Sequence, residues 1–336
     1  MQLKYKWSRT LFFLFPLLIT LSLFSCTLKP EIFIVSREAT MYRSDDYVLV
    51  PRDEADSPEQ LAQRYLKDPA KAWVIEEANQ YANNNYVVVP LRQSNRGGLQ
   101  SDGYQTIPIL TYHRFAERCT SPLCMPRSVF DKQMRYLKEN GYHVVSPADL
   151  LAFLEYRQPL PRKSVVITMD DGYRSVYDIG YPILKKYGFK ATLFIYTRFV
   201  GVSHLAITWD QLRELKSEGF TIGSHTIEHS DLTRPLEGED ESAFLQRIYR
   251  ELHGSKKILD QKLQQDTIAL AYPFGYYDYR VANIAREAGY KIAMSVNRGG
   301  NPFFADPLFL KRDQILHQDM DTFVSRLKTF EPLALK

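Results

Sequence analysis

Cysteine is scarce in this 336-residue chain: there are three, at positions 26, 119 and 124. Charge of one sign is not in excess. The 43 basic and 39 acidic residues leave a net charge of +4, which argues against a dedicated nucleic-acid binder. No repeat of fixed length runs through the chain. The apolar run at 11–24 is fourteen residues, short of the roughly twenty that a membrane-spanning helix needs. What is present points to a folded protein. At 45% hydrophobic and 24% charged, a substantial core is possible and global disorder is excluded. Tyrosine (22) and phenylalanine (19) are plentiful; most aromatics serve cores, and their flat faces also suit carbohydrate.

The N-terminus carries Lys4, Lys6 and Arg9 ahead of the 11–24 run, the layout of a signal peptide. The run ends Leu23-Phe24-Ser25-Cys26, which resembles a bacterial lipobox. That resemblance implies a signal segment over 1–26, with Cys26 as the lipidated first residue of the mature protein. The chain would then be exported and lipid-anchored to a membrane of the cell envelope, in the periplasm or at the cell surface. Thr27, rather than Asp, leans to an outer membrane where there is one. An ordinary secretory signal and an uncleaved anchor are the alternatives, and both still export the chain. In such a compartment Cys119 and Cys124, which flank the four residues Thr-Ser-Pro-Leu, are expected to form a disulfide. No histidine or second cysteine pair lies beside them to suggest a metal.

Residues from about 27 to 105 differ in texture from the rest, and 45–92 within them read as one small module. A strand-like Tyr47-Val48-Leu49-Val50-Pro51 precedes a helical 58–65 with Ser57 as N-cap, then a second helix over 71–79 and a second strand at 86–90. This β-α-α-β module resembles LysM, a small peptidoglycan- and chitin-binding fold; an appendage without a ligand is the plain alternative. A Gly-rich polar linker follows at 93–105. From 106 to 330 strands and helices alternate. Strands are expected at 107–112, 143–145, 165–169, 191–196, 221–224, 268–272, 291–296 and 309–311. Helices are expected at 130–140, 148–156, 176–187, 209–218, 243–264 and 279–288. Gly141, Gly188, Gly219 and Gly289 stand where C-caps belong. Repeated βα units imply a parallel sheet, open or closed into a barrel.

The stretch Val165-Val166-Ile167-Thr168-Met169-Asp170-Asp171-Gly172-Tyr173 ends a buried-type strand in two adjacent carboxylates. Burying both uncompensated is costly. A solvated turn explains the pair, and so does a cation. His225 and His229, in Ile222-Gly223-Ser224-His225-Thr226-Ile227-Glu228-His229, also follow a strand. Spaced i, i+4, they would share one face of a helical turn. Ligands gather at the C-terminal ends of parallel strands, so both motifs are expected on one rim. Two histidines and one carboxylate leave a coordination position open, as catalytic sites do. The second carboxylate is then placed as a general base.

These motifs, followed by Tyr272-Pro273-Phe274-Gly275, resemble the polysaccharide deacetylases of the NodB-homology type, carbohydrate esterase family 4. The resemblance implies an α/β fold, a distorted (β/α) barrel preceded by the small module, and metal-dependent hydrolysis of N-acetyl groups on GlcNAc-containing glycans. It assigns Asp170 as base, Asp171, His225 and His229 as ligands of a divalent metal (Zn, with Co, Mn, Ni or Fe as alternatives), and Tyr272, Pro273, Phe274 and Gly275 as the groove wall, with Trp209 a further candidate there. A backbone N–H near Phe274 is a candidate oxyanion donor. Two positions depart from the pattern. Ala271 stands where an Arg often pairs with the base, and His317 sits in a poor context for the general acid. Arg312 and Asp313 are candidates to orient Asp170 instead. Leu110-Thr111-Tyr112-His113 places an early histidine after the first strand, as in the poly-β-1,6-GlcNAc deacetylase subgroup, so His113 is preferred to His317 as acid. The remaining histidines, His143, His204 and His253, read as solvated or structural. Peptidoglycan as substrate, a degenerate glycan-binding lipoprotein, and hydrolysis of a non-glycan amide remain open.

Overall fold

The computed structural model describes residues 41–52, 56–80, 85–93, 95–316 and 319–333. The signal segment with Cys26, and His317, lie outside the described residues. No described helix is long and apolar enough to cross a membrane.

Seven parallel strands build the larger part of the chain. We number them β1 (Ile109–Tyr112), β2 (Ser164–Met169), β3 (Thr192–Ile195), β4 (Thr221–Ser224), β5 (Ala269–Ala271), β6 (Ile292–Met294) and β7 (Asp313–Gln314). Their spatial order is β6-β5-β4-β3-β2-β1-β7. Between β6 and β7 the chain returns beside β6, where Leu310 pairs in parallel with Met294. Three residues later Asp313 pairs with Leu110 of β1. One short segment thus touches both edges of the sheet and closes it. The result is a distorted (β/α) barrel whose seam is a few hydrogen bonds rather than two full strands.

The apolar runs are continuous because both faces of each strand are covered. Alternate residues serve different layers. Val165, Ile167 and Met169 of β2 join the cluster under the outer helices, whereas Val166 packs with Ile109 of β1 and Phe194 of β3. Thr111 and Thr168 hydrogen-bond to each other at 3.0 Å between β1 and β2. The helices begin and end where local chemistry directs. Ser146 and Thr208 form capping boxes with Asp149 and Gln211, and Asp240 and Asp278 accept from the first turns of Glu241–Leu263 and Tyr279–Ala288. Gly188 and Gly289 end their helices in the left-handed region, which costs glycine least. Strand Gly103–Ile107, just before β1, pairs antiparallel with Asn301–Pro302 and Phe330–Pro332.

The small N-terminal part has its own core of Val48, Val50, Leu61, Ala62, Ala72, Ile75 and Val89. Strands Tyr47–Pro51 and Tyr86–Pro90 pair antiparallel. The helical segments Pro58–Leu66 and Pro69–Asn79 lie between them in sequence. Ser57 caps the first. The Asn79 amide ends the second by donating to the carbonyls of Ile75 and Val88 and accepting from the Val88 N–H. Cys119 and Cys124 are joined by a disulfide.

Candidate active site

Four strand ends deliver the expected residues to one rim. Asp170 and Asp171 follow β2, His225 follows β4, and Pro273–Gly275 follows β5. His113 follows β1, and the β1–β2 register, with Tyr112 opposite Met169, brings it opposite Asp170. One atom each from Asp171, His225 and His229 lie within 4.8 Å of one another. Asp171 Oδ1 is 3.7 Å from His225 Nε2 and 3.6 Å from His229 Nε2. One carboxylate oxygen and two imidazole nitrogens are donors that fit a first-row divalent cation.

The tautomer of His225 follows from its neighbour. Its Nδ1 lies 2.8 Å from the carbonyl oxygen of Ala271. A carbonyl only accepts, so Nδ1 carries the proton and the Nε2 lone pair faces the site. Burial, against the opposing pull of Asp170, lowers this imidazole to about 3, so it is neutral at neutral pH. Burial holds His229 and His113 below their ordinary values too, again with Asp170 opposing.

The two carboxylates are pushed in opposite directions. Burial raises Asp171, and the Asp170 charge adds to it, to about 7. Burial would raise Asp170 as well, but Arg312, with His225, carries it down to about 2. The Arg312 guanidinium, fully buried, donates to both Asp170 oxygens, each at 2.8 Å. Its Nε–H also reaches the Ser295 carbonyl at 2.7 Å, and Nη1 the Thr168 hydroxyl at 3.2 Å. Arg312 therefore pairs with Asp170 from the closing seam rather than from β5, where Ala271 stands. Asp313 does not share it; its carboxylate lies 3.8 Å from Arg326.

Three expectations need correction. The 225–229 segment is a loop, not a helical turn, with Thr226 at φ 71 and His229 at φ 58. The histidines converge because the loop is tied from outside. The buried Glu251 carboxylate accepts from the N–H groups of Ile227 and Glu228, both at 2.9 Å, and Thr226 Oγ1 accepts from His229 N–H. Tyr272 is no groove residue: its side chain is fully buried and its hydroxyl donates to the Leu308 carbonyl at 3.0 Å. Pro273 and Gly275 are buried as well, and it is Phe274, 52% exposed, that stands edge-on to His229 at 4.6 Å. Trp209 starts its helix packed against the main core.

Backbone strain concentrates here. Seven described non-glycine residues have positive φ, and Asp171, Thr226, His229 and Phe274 are four of them. Such conformations persist where surroundings over-determine them, as at functional sites. Glu251 was not singled out from the sequence. Its signal was a charged residue on the buried stripe Phe244, Ile248, Leu252 and Ser255 of its helix. A cavity of about 940 Å³ lies elsewhere, lined by the small module, the segment after it and residues 143–161 of the barrel part.

A family model described as polysaccharide deacetylase matches residues 157–293. "Putative polysaccharide deacetylase YxkH" of Bacillus subtilis is 33% identical over 193 residues, covering 57% of this chain and 65% of that protein. A poly-β-1,6-N-acetyl-D-glucosamine N-deacetylase of Staphylococcus aureus is 28% identical over 203 residues, covering 57% of this chain and 69% of that one. The structure of Streptococcus pyogenes deacetylase PplD in complex with acetate superposes with a TM-score of 0.61 at 30% identity, covering 67% of this chain and 99% of that one.

Proposed function

The chain belongs to the polysaccharide deacetylase family, and from that premise we propose that it hydrolyses N-acetyl groups, as acetate, from a GlcNAc-containing cell-surface polysaccharide. The observation that carries this reading is the Asp171–His225–His229 donor set beside an Asp170 carboxylate locked to Arg312. Asp171, His225 and His229 would hold the divalent cation, with zinc the first choice. When bound, such a cation polarises an amide carbonyl and lowers the pKa of a water. Asp170, kept ionised and oriented by Arg312, takes the proton of the attacking water. The water oxygen bonds to the acetyl carbon, the proton taken by Asp170 passes through His113 to the departing nitrogen, and the C–N bond breaks, leaving both side chains as they began. A backbone N–H beside Phe274 is the candidate donor to the oxyanion. The products are acetate and a glucosamine unit.

A poly-β-1,6-GlcNAc exopolysaccharide is the preferred substrate. The support is the early His113 and similarity to a deacetylase named for that polymer. Peptidoglycan is the second reading, favoured by the β-α-α-β order of the small module, which suits a LysM-like glycan binder. Export and lipidation at Cys26 complete the reading and rest on the N-terminal residues alone.

The test is acetate release by the metal-loaded full chain from β-1,6-linked GlcNAc oligomers, chitin oligomers and peptidoglycan, with Asp170→Asn as control. Release from one glycan, abolished in the variant, is expected. Stoichiometric metal binding without release from any of them would transfer the reading to a glycan-binding protein.

A further inference from the structure

A pocket of about 560 Å³ opens beside the reacting centre, between the segments that follow β1 and β2. Its walls begin at Arg114, the residue after His113, and at Tyr173, two residues after Asp171. The remaining charged groups of its lining are Arg118, Arg174 and Asp178, with His204 also present. Arg174 pairs with Asp178 at 3.2 Å. Arg114 and Arg118 have no ion-pair partner among the described residues, and the nearby Glu117 is taken by Arg127 at 2.6 Å. Three guanidinium groups thus face one carboxylate. The Arg114 guanidinium lies 6.0 Å from the Tyr173 ring centroid, and the Cys119–Cys124 disulfide closes the loop that begins just after Arg118. Aromatic rings connect this pocket to the centre: Tyr173 to Phe199 at 5.6 Å, Phe199 to Tyr196 at 5.1 Å, Tyr196 to His229 at 5.5 Å. Such faces suit the apolar faces of successive sugars.

Each turnover of an N-deacetylase replaces a neutral acetamide by an amine that is cationic at neutral pH. A polymer that has been deacetylated once therefore presents a cation wherever that unit is seated. We propose that the arginine pocket seats a sugar neighbouring the reacting one and disfavours it once it has become a glucosamine, so that deacetylation is spaced along the polymer instead of continuous. The inference rests on the N-deacetylase reading above. Its physical basis is like-charge repulsion in a partly enclosed pocket, which salt screens.

The experiment uses the metal-loaded full chain with β-1,6-linked and β-1,4-linked GlcNAc hexamers, and sequences the partly deacetylated products by tandem mass spectrometry. Adjacent glucosamine pairs are expected about three- to tenfold below random placement. The deficit should shrink at high salt and in Arg114→Gln/Arg118→Gln; the salt arm needs no variant to fold. Random placement by the wild type overturns the inference, and so does a deficit that neither salt nor the variant moves. Absence of acetate release from either hexamer is a failure of the activity reading, and binding then decides the pocket. Calorimetry would compare the fully acetylated hexamer with one carrying a single internal glucosamine. Weaker binding of the second, levelled in the variant, supports the pocket's role; equal binding, or none by either, overturns it.

Discussion

Asp170 and Asp171 are chemically identical neighbours in different electrostatic positions. Asp170, at about 2 in the fold against an ordinary 3.8, binds its proton less tightly folded than unfolded. The associated stability is present above about pH 4 and is lost as pH falls toward 2, on the order of 2 kcal/mol. Arg312→Ala leaves a buried carboxylate unpaired and is expected to cost about 3–5 kcal/mol by denaturant unfolding at neutral pH. Arg312→Lys keeps the charge but loses the two-pronged geometry, so activity should fall further than stability. Asp171 behaves oppositely. At about 7, its ionisation costs the metal-free protein stability as pH rises from the ordinary carboxylate value through neutrality. A cation must displace that proton, so zinc affinity of chelator-stripped protein should drop about tenfold per pH unit below 7 and level off above it. Calorimetric titration between about pH 5.5 and 8 measures this; a flat profile would contradict the assignment.

The loop after β4 and the helix Glu241–Leu263 act together. The loop carries two positive-φ residues, so it needs an external tie, and Glu251 supplies it from the helix. Glu251→Leu removes the acceptor for two N–H groups. Metal affinity should drop about 10- to 100-fold, as when groups supporting a metal ligand are lost, together with a lower Tm. Glu251→Gln keeps an accepting oxygen and should retain most of both. Equal losses in the two variants would mean that the carboxylate charge, not the two hydrogen bonds, matters. The helices and strands themselves were largely legible in the sequence, because capping residues, C-terminal glycines and apolar periodicity act within a few residues of chain. The 225–229 loop was not, because i, i+4 spacing is only a helical signature when the backbone is helical.

The whole molecule depends on its seam. Leu310 is fully buried and exchanges hydrogen bonds with the β6 segment, its N–H to Ala293 at 3.0 Å and its carbonyl from Ser295 at 2.8 Å. Two residues on, Arg312 reaches Asp170. Leu310→Ala is expected to cost about 2–5 kcal/mol and to lower activity through Arg312. Leu245→Ala, at an exposed helix position, should stay within about 0.5 kcal/mol. Thermal unfolding of both checks the contrast.

The residue order determined by itself the α/β class, the alternation of strands and helices, and the identity of the acids and histidines at strand ends. These follow from short-range causes: side-chain periodicity, caps, and the turn chemistry around Gly172. Tertiary structure decided that Arg312, and not Asp313, meets Asp170, 142 residues away in the chain; that the Ala271 carbonyl sets the His225 proton; that Glu251 holds the histidine loop; and that Tyr272 turns inward while Phe274 faces the site. Each of those depends on which strands become neighbours and where the barrel closes. Sheet order and closure bring together groups that no local pattern in the chain connects.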